Sequence, residues 1–233
     1  MASKPRKNLQ TPYLKSIWAI VRKDLAAEWR SRELFSAMFV FSLLVIFIFN
    51  FALELNINER NAITSGILWV TFTFAGTLGL NRSMLVEKDR GSLDGLLLAP
   101  IDRSAIYFGK TIGNLIFMLI VEIIVLPIYS FLYNTNLFRP GLLGIILLGS
   151  IGYSIVGTLL SSMTVQTRTR DVLLPILLFP VLLPVLISAV RASSFYLQGQ
   201  PTDLIWPSVN IIIAYDIIFT AIAFMVFDFI VEE

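Results

Sequence analysis

The sequence predicts an all-α membrane protein of six transmembrane helices, with an N-terminal amphipathic interfacial helix and a short cytoplasmic helix in one polar loop. Three observations carry that expectation. Of the 233 residues, 56% are hydrophobic and only 15% are charged, against about 25% charged in an ordinary soluble domain. Mean hydropathy is +0.79. Apolar runs close to the ~20 residues needed to cross a bilayer core recur from about residue 34 onward and are separated by short connectors. The polar stretches 1–33 and about 82–104 are shorter than the ~50 residues of a small domain, so no soluble catalytic domain fits. The chain divides into a cytoplasmic N-terminal segment, 1–33, and a six-helix membrane domain, 34–233.

The first apolar run follows about 33 polar residues, too long a lead for a cleaved secretory signal, so the N-terminal segment is expected to be retained. Within it, Leu14, Ile17, Trp18, Val21, Leu25 and Trp29 recur at three- and four-residue intervals, the spacing of one helical stripe. Lys15, Arg22, Lys23 and Arg30 fall off that stripe, while Glu28 lies close to it and is out of place. Such a helix is expected to lie at the membrane surface, with tryptophan at headgroup level and basic residues toward anionic lipid.

The six spans are expected at about 34–53, 62–80, 111–133, 141–163, 172–190 and 208–230. With the N-terminus in the cytoplasm, fifteen of the 18 Lys and Arg residues fall inside, leaving Arg60, Arg139 and Arg191 outside. That bias places both termini in the cytoplasm. In a membrane protein the formal charge of +2 reports topology before it reports nucleic acid, and no nucleic-acid partner is expected. Cys and His are absent, which excludes disulfides, thiolate metal sites, imidazole haem ligation and His-based acid–base catalysis within this chain.

The second inner loop carries the most information. In Glu87-Lys88-Asp89-Arg90-Gly91-Ser92-Leu93-Asp94-Gly95-Leu96-Leu97-Leu98-Ala99-Pro100, Gly91 permits a turn and Ser92 can cap a short helix. Leu93, Leu96 and Leu97 then share one apolar face, and Pro100 discourages continuation. That face needs lipid or a protein groove to bury it. The acidic residues Glu87, Asp89 and Asp94 argue against an anionic leaflet and for a protein. After the loop, Gly109-Lys110-Thr111 imitates the end of a phosphate-binding loop, but the glycine required five residues earlier is Ser104, and the segment enters an apolar helix. A nucleotide site is therefore not expected, and ATP hydrolysis by this chain alone is not expected either.

Within the spans, Gly109 with Gly113, and Gly157 with Ser161, provide small-xxx-small spacing for close helix approach. Glu122 sits near the middle of the third span and Asp216 in the outer half of the sixth. A carboxylate at helix centre costs about 2.5–3.5 kcal/mol on insertion scales, so each should face a neighbour or a cavity, or be protonated. Two readings stay open for the pair: a substrate-path or proton-linked group, or an interhelical hydrogen bond. Pro175, Pro180 and Pro184 in the fifth span each remove a backbone donor, so that helix is expected to be kinked or interrupted.

Gly91-Ser92-Leu93-Asp94, Leu96-Leu97-Leu98 and Pro100, following a span that contains Gly66-Ile67-Leu68-Trp69-Val70 and ends in Asn81-Arg82, resemble the haem-exporter permease family CcmB of cytochrome c maturation. Thr169-Arg170-Asp171-Val172-Leu173-Leu174-Pro175, with Pro180 and Pro184, is similar to that family's fourth loop and proline-rich fifth helix. The resemblance covers most of the chain from about residue 14; the sequence departs from the family pattern at Asn81, Leu85 and Arg90. It implies an inner-membrane permease subunit of an ABC complex, driven by a separate CcmA-like ATPase and accompanied by a CcmC-like haem-handling protein, with two copies of this chain around two ATPases. The loop from Glu87 to Pro100 would be the ATPase-coupling element. Haem would be a transported or partner-bound ligand, with no cofactor bound by this chain alone, and the output would be haem export or release of a haem-loaded chaperone. The alternatives are an ABC-2-type permease for another lipid, drug or polysaccharide, and a membrane scaffold that moves nothing.

Overall fold

A computed structural model describes residues 12–52, 57–89, 101–165, 167 and 169–230. Those residues form seven helices: α1 (Tyr13–Ser31), α2 (Glu33–Ala52), α3 (Ile57–Asp89), α4 (Arg103–Tyr133), α5 (Pro140–Thr164), α6 (Arg170–Leu197) and α7 (Thr202–Ile230). The last six are each long and apolar enough to cross a membrane. Most extend past the expected spans: α3 has 33 residues, α4 begins at Arg103, α6 runs to Leu197 and α7 begins at Thr202. Hydropathy marks only the part of a helix that hydrocarbon would tolerate, whereas backbone hydrogen bonding continues into polar sequence. At 1.5 Å per residue α3 is about 50 Å long, well beyond a hydrocarbon core of about 30 Å. The longer α7 also moves Asp216 from the expected outer half to the middle of its helix.

The bundle is built around α5. It packs against α3, α4, α6 and α7, and most of its residues from Gly149 to Leu159 are buried. The sequence explains why the others come so close. A Cβ at Gly149 would overlap the ring of Trp69 on α3, and one at Gly157 would overlap Leu80 on the same helix. A Cβ at Gly152 would overlap the Asp216 carboxylate of α7, and one at Gly141 the ring of Tyr196 on α6. Apolar side chains gain little by leaving lipid for one another, so this close backbone approach and the polar contacts it permits must supply the helix association.

Polar side chains then cross-link the packed helices. Trp69 is buried, and its indole Nε1 donates to Ser193 Oγ at 3.0 Å, joining α3 to α6 over Gly149. Tyr153 of α5 lies against Gly76, with its hydroxyl 2.9 Å from Thr77 Oγ1 of α3. Asn114 Nδ2 of α4 donates to Thr158 Oγ1 of α5 at 2.9 Å. Tyrosines on α4 reach three neighbours: Tyr107 donates to the Ile155 carbonyl of α5, Tyr129 to the Thr64 carbonyl of α3 and Tyr133 to the Ile46 carbonyl of α2.

The three prolines do not interrupt α6, which is one continuous helix. Its buried face is Leu174, Leu178, Leu182, Val185, Ala189 and Ala192, and Pro180 and Pro184 lie exposed on the other side. Tyr215 of α7 donates to the Val181 carbonyl at 3.0 Å, within the proline-rich stretch.

The apolar stripe expected on α1 divides in two. Ser16, Ile20 and Val21 are buried, with Ile17, Asp24, Leu25 and Glu28 partly so, making the docking line against α4; Leu14, Trp18 and Trp29 point outward. Glu28, which looked misplaced, caps the following helix. Its Oε1 accepts from the Phe35 backbone N–H at 2.9 Å, and Oε2 accepts from Ser31 Oγ. Arg32, with φ of 54°, makes the corner between α1 and α2.

Gly149→Val should lower stability by about 1–3 kcal/mol through overpacking against Trp69, whereas Gly66→Ala, where a Cβ meets nothing within 4 Å, should not lower it. Thermal unfolding of the purified chain in mild detergent distinguishes the two.

Candidate functional site

Two regions bring together the residues with chemistry to offer: the middle of the bundle, where two carboxyl groups flank α5, and the end of the bundle where α3 stops and α4 begins.

In the middle, Glu122 of α4 is 2% exposed and accepts from Ser150 Oγ of α5 at 2.7 Å. Asp216 of α7 is 9% exposed and lies directly on the α5 backbone at Gly152. Positions 150 and 152 differ by 200° around a helix and by about 3 Å along it, so the carboxyl groups grip α5 from opposite sides at nearly one depth. Glu122 Oε2 and Asp216 Oδ1 have no hydrogen-bond partner among the described residues. The Ser150 contact realises the interhelical hydrogen bond open to Glu122. Asp216 instead depends on the missing side chain of Gly152.

At the end of the bundle where α4 begins, α1 runs beside α4 in the same direction. Tyr13 lies by Ser104, Ile20 sits on Gly109, and Asp24 pairs with Lys110 next to Gly113, all at nearly constant sequence offset. Lys110 Nζ is 2.8 Å from Asp24 Oδ2, with side-chain exposures of 4% and 11%, and Lys23 Nζ approaches the other Asp24 oxygen at 3.1 Å. The glycines expected to serve helix packing therefore seat α1. Lys110 of the Gly109-Lys110-Thr111 sequence neutralises Asp24, and Thr111 Oγ1 donates to its own helix at the Tyr107 carbonyl. A second apolar cluster of Ile20, Ile106, Tyr107, Ile155, Leu159, Ala223 and Phe227 joins α1, α4, α5 and α7 here.

The sequence-predicted coupling loop is bracketed by these contacts. Gly91, Ser92, Leu93, Asp94, Leu96, Leu97 and Pro100 lie outside the described residues. Glu87 and Asp89 belong to the last turn of α3. Beside them Lys88 Nζ donates to the Val165 carbonyl at 2.8 Å, tying the end of α3 to the end of α5. On the far side Asp102 caps α4, accepting from the Ser104 N–H at 2.9 Å and from its hydroxyl at 2.7 Å. Arg82 pairs with Glu33, fastening α3 to the first residue of α2.

Sequence reasoning missed Ser150, Ser193, Asp24 and Lys88 as partners. Gly109 and Gly113 did signal the α1 seat, although not which helix would use it. Nothing local marked Ser193, which lies 124 residues from Trp69.

A family model described as CcmB protein matches residues 15–231. Heme exporter protein B of Rhodobacter capsulatus is 30% identical over 172 residues, covering 72% of this chain and 78% of that protein. The protein of the same name from Pseudomonas aeruginosa is 26% identical over 170 residues, covering 72% and 76%. That from Bradyrhizobium diazoefficiens is 23% identical over 182 residues, covering 78% and 82%.

Removal of the Ser150 hydroxyl should destabilise the bundle by about 1–3 kcal/mol, because the buried Glu122 then loses its donor. Ser150→Ala combined with Glu122→Leu should recover much of that loss, which a double-mutant cycle on detergent unfolding measures. Lys110→Met should cost toward the lower end of the about 3–5 kcal/mol typical of a broken buried pair, because Lys23 still approaches Asp24. Asp24→Leu with Lys110→Met should restore protection of α1 from limited proteolysis.

Proposed function

The chain belongs to the CcmB family, and from that premise we propose how it works as the transmembrane permease subunit of the haem-export ABC transporter in cytochrome c maturation. The observation that carries the reading is the extent of the membership, which takes in the whole bundle and nearly all of α1. As a permease subunit the chain is not itself an enzyme.

We infer that the energy comes from a separate ATPase subunit bound at the loop from Glu87 to Pro100. The contacts on either side of that loop support the assignment. A push on it is delivered to α3, which Lys88 ties to α5, and to α4, which Asp102 caps and α1 braces. Leu93, Leu96 and Leu97 supply the apolar face for a groove on the ATPase, and Glu87, Asp89 and Asp94 supply its charged margin. Glu122 and Asp216 mark where α4 and α7 bear on α5 as the helices shift.

Haem enters as cargo, alone or on a chaperone released at the outer face. As in the family it belongs to, the chain works beside a haem-handling membrane partner of the CcmC kind, and two copies of it pair with two ATPases. The Lys and Arg distribution supports an inner-membrane orientation with both termini in the cytoplasm.

Deletion of the chain should abolish c-type cytochromes, read as covalently bound haem in membrane proteins, while b-type cytochromes persist. Leu93→Asp should insert and fold but lose most of the copurifying ATPase, since an unpaired charge in an apolar groove costs several kcal/mol. Normal c-type cytochromes in the deletion strain would overturn the functional reading, and undiminished ATPase recovery with Leu93→Asp would remove the loop from it.

A further inference from the structure

One amide points away from the bundle into the space that hydrocarbon occupies. Asn210 is exposed on α7, and its side chain makes no hydrogen bond among the described residues. Its depth follows from the packing. Glu122 and Asp216 lie at nearly one level, on either side of α5. Along α4, Lys110 stands twelve residues from Glu122, and along α5, Arg139 stands thirteen residues before Gly152, so charge lies about 18–20 Å from the carboxyl groups in either direction. A hydrocarbon core of about 30 Å is thus centred on them. Asn210 is six residues from Asp216, toward the end where Gly141 lies under Tyr196. That puts it about 9 Å from the centre and about 6 Å inside the core.

The other strongly polar groups near this depth turn toward neighbouring helices. Asn114 donates to Thr158, Glu122 accepts from Ser150 and Asp216 rests on Gly152. The Asn210 side chain is too short to reach the headgroups, and an amide without a partner in hydrocarbon is costly. Asn210 also stands at the centre of an open face. At 100° per residue, Trp206, Ala214, Ile217, Ala221 and Phe224 lie within about 40° of it, and all five are exposed. Ser208, Ile212, Tyr215 and Ala223, buried against the bundle, lie on the opposite side. Ala214 and Ala221 leave room for another backbone to approach.

We propose that this face of α7 is the docking surface for a second copy of the chain, with the two Asn210 amides hydrogen-bonded to each other across a two-fold axis normal to the membrane. The chemistry of the amide selects this occupant. Two copies inserted in one orientation bring α7 and its counterpart together in parallel, with every residue at the depth of its own copy. A carboxamide carries both donors and an acceptor, so an identical group at an identical depth satisfies it, whereas a lipid chain offers neither. The inference rests on the two-copy arrangement proposed above and gives that arrangement an interface.

The test uses the full-length chain reconstituted alone in phosphatidylcholine vesicles. Cys is absent from the sequence, so one introduced cysteine reports one position. Energy transfer between copies labelled at Gln200→Cys, followed as the vesicles are diluted with lipid, gives the dimer dissociation constant. The chain with Asn210 intact should dimerise. Asn210→Leu should weaken the dimer about tenfold, the effect of one polar contact between membrane helices, while Asn210→Gln should keep most of the affinity. Leucine on an exposed membrane face does not endanger folding. In unlabelled chains, copper phenanthroline should cross-link Ala214→Cys into a disulfide dimer but not Ile123→Cys, at a residue of α4 that is 65% exposed. A monomeric chain with Asn210 intact, dimerisation that Asn210→Leu leaves unchanged, or equal cross-linking at the two cysteine positions would overturn the proposal. Because the vesicles hold only this chain, any of those results leaves the ATPase-coupling and haem-export reading to its own tests.

Discussion

In a bilayer, one apolar helix gains little by touching another, and that constraint shapes everything else in this molecule. Its answer is α5, a helix whose glycines at 149, 152 and 157 let its neighbours come down onto backbone. Each glycine receives a different kind of group: the Trp69 ring, the Asp216 carboxylate and a Leu80 methyl. The polar links depend on that nearness. Trp69 reaches Ser193 across Gly149, and Glu122 meets Ser150 one position further on. The six long helices are therefore one bundle because a single helix among them is thin.

The end of the bundle where α4 begins uses a different device. There α1 lies along the start of α4, held by a buried Asp24–Lys110 pair over two glycines. A buried ion pair contributes less to stability than to register, since moving either charge out of place leaves the other unpaired. Its effect here is to make α1 and α4 one unit at the point where the chain leaves the loop between α3 and α4. With Lys88 fixing the other side to the end of α5, the segment that joins α3 to α4 has a fixed helix on each flank.

Much of this was legible in the sequence, for identifiable reasons. Hydropathy located all six spans because hydrocarbon tolerates few charges, but it could not locate their ends, which continue as helix into polar sequence at Arg82–Asp89 and Arg103–Lys110. The stripe on α1 was visible as periodicity, yet periodicity could not divide it between a protein face and an outward face, because Asp24 is buried only through a lysine 86 residues away. Glu28 looked like an error in an amphipathic pattern and is the cap of the next helix. The prolines of α6 announced lost hydrogen bonds, and the helix carries them without a break, with Pro180 and Pro184 on its exposed side. Glu122 and Asp216 stood out as expensive residues, while their seats at Ser150 and Gly152 required the packed bundle. The family motif, in contrast, was legible without any structure, because its loop and its Trp69 helix are contiguous in sequence.

The central claim is that function depends on direct seating of neighbouring helices on the α5 backbone, and Asp216 at Gly152 is its sharpest instance. The most direct test adds one methyl group there. Gly152→Ala and Gly144→Ala, the latter at a position where a Cβ meets nothing within 4 Å, should be compared for membrane insertion and for c-type cytochrome production in a strain lacking the native chain. The account predicts equal insertion, full production with Gly144→Ala and a severe loss with Gly152→Ala. Equal production by the two variants would contradict it.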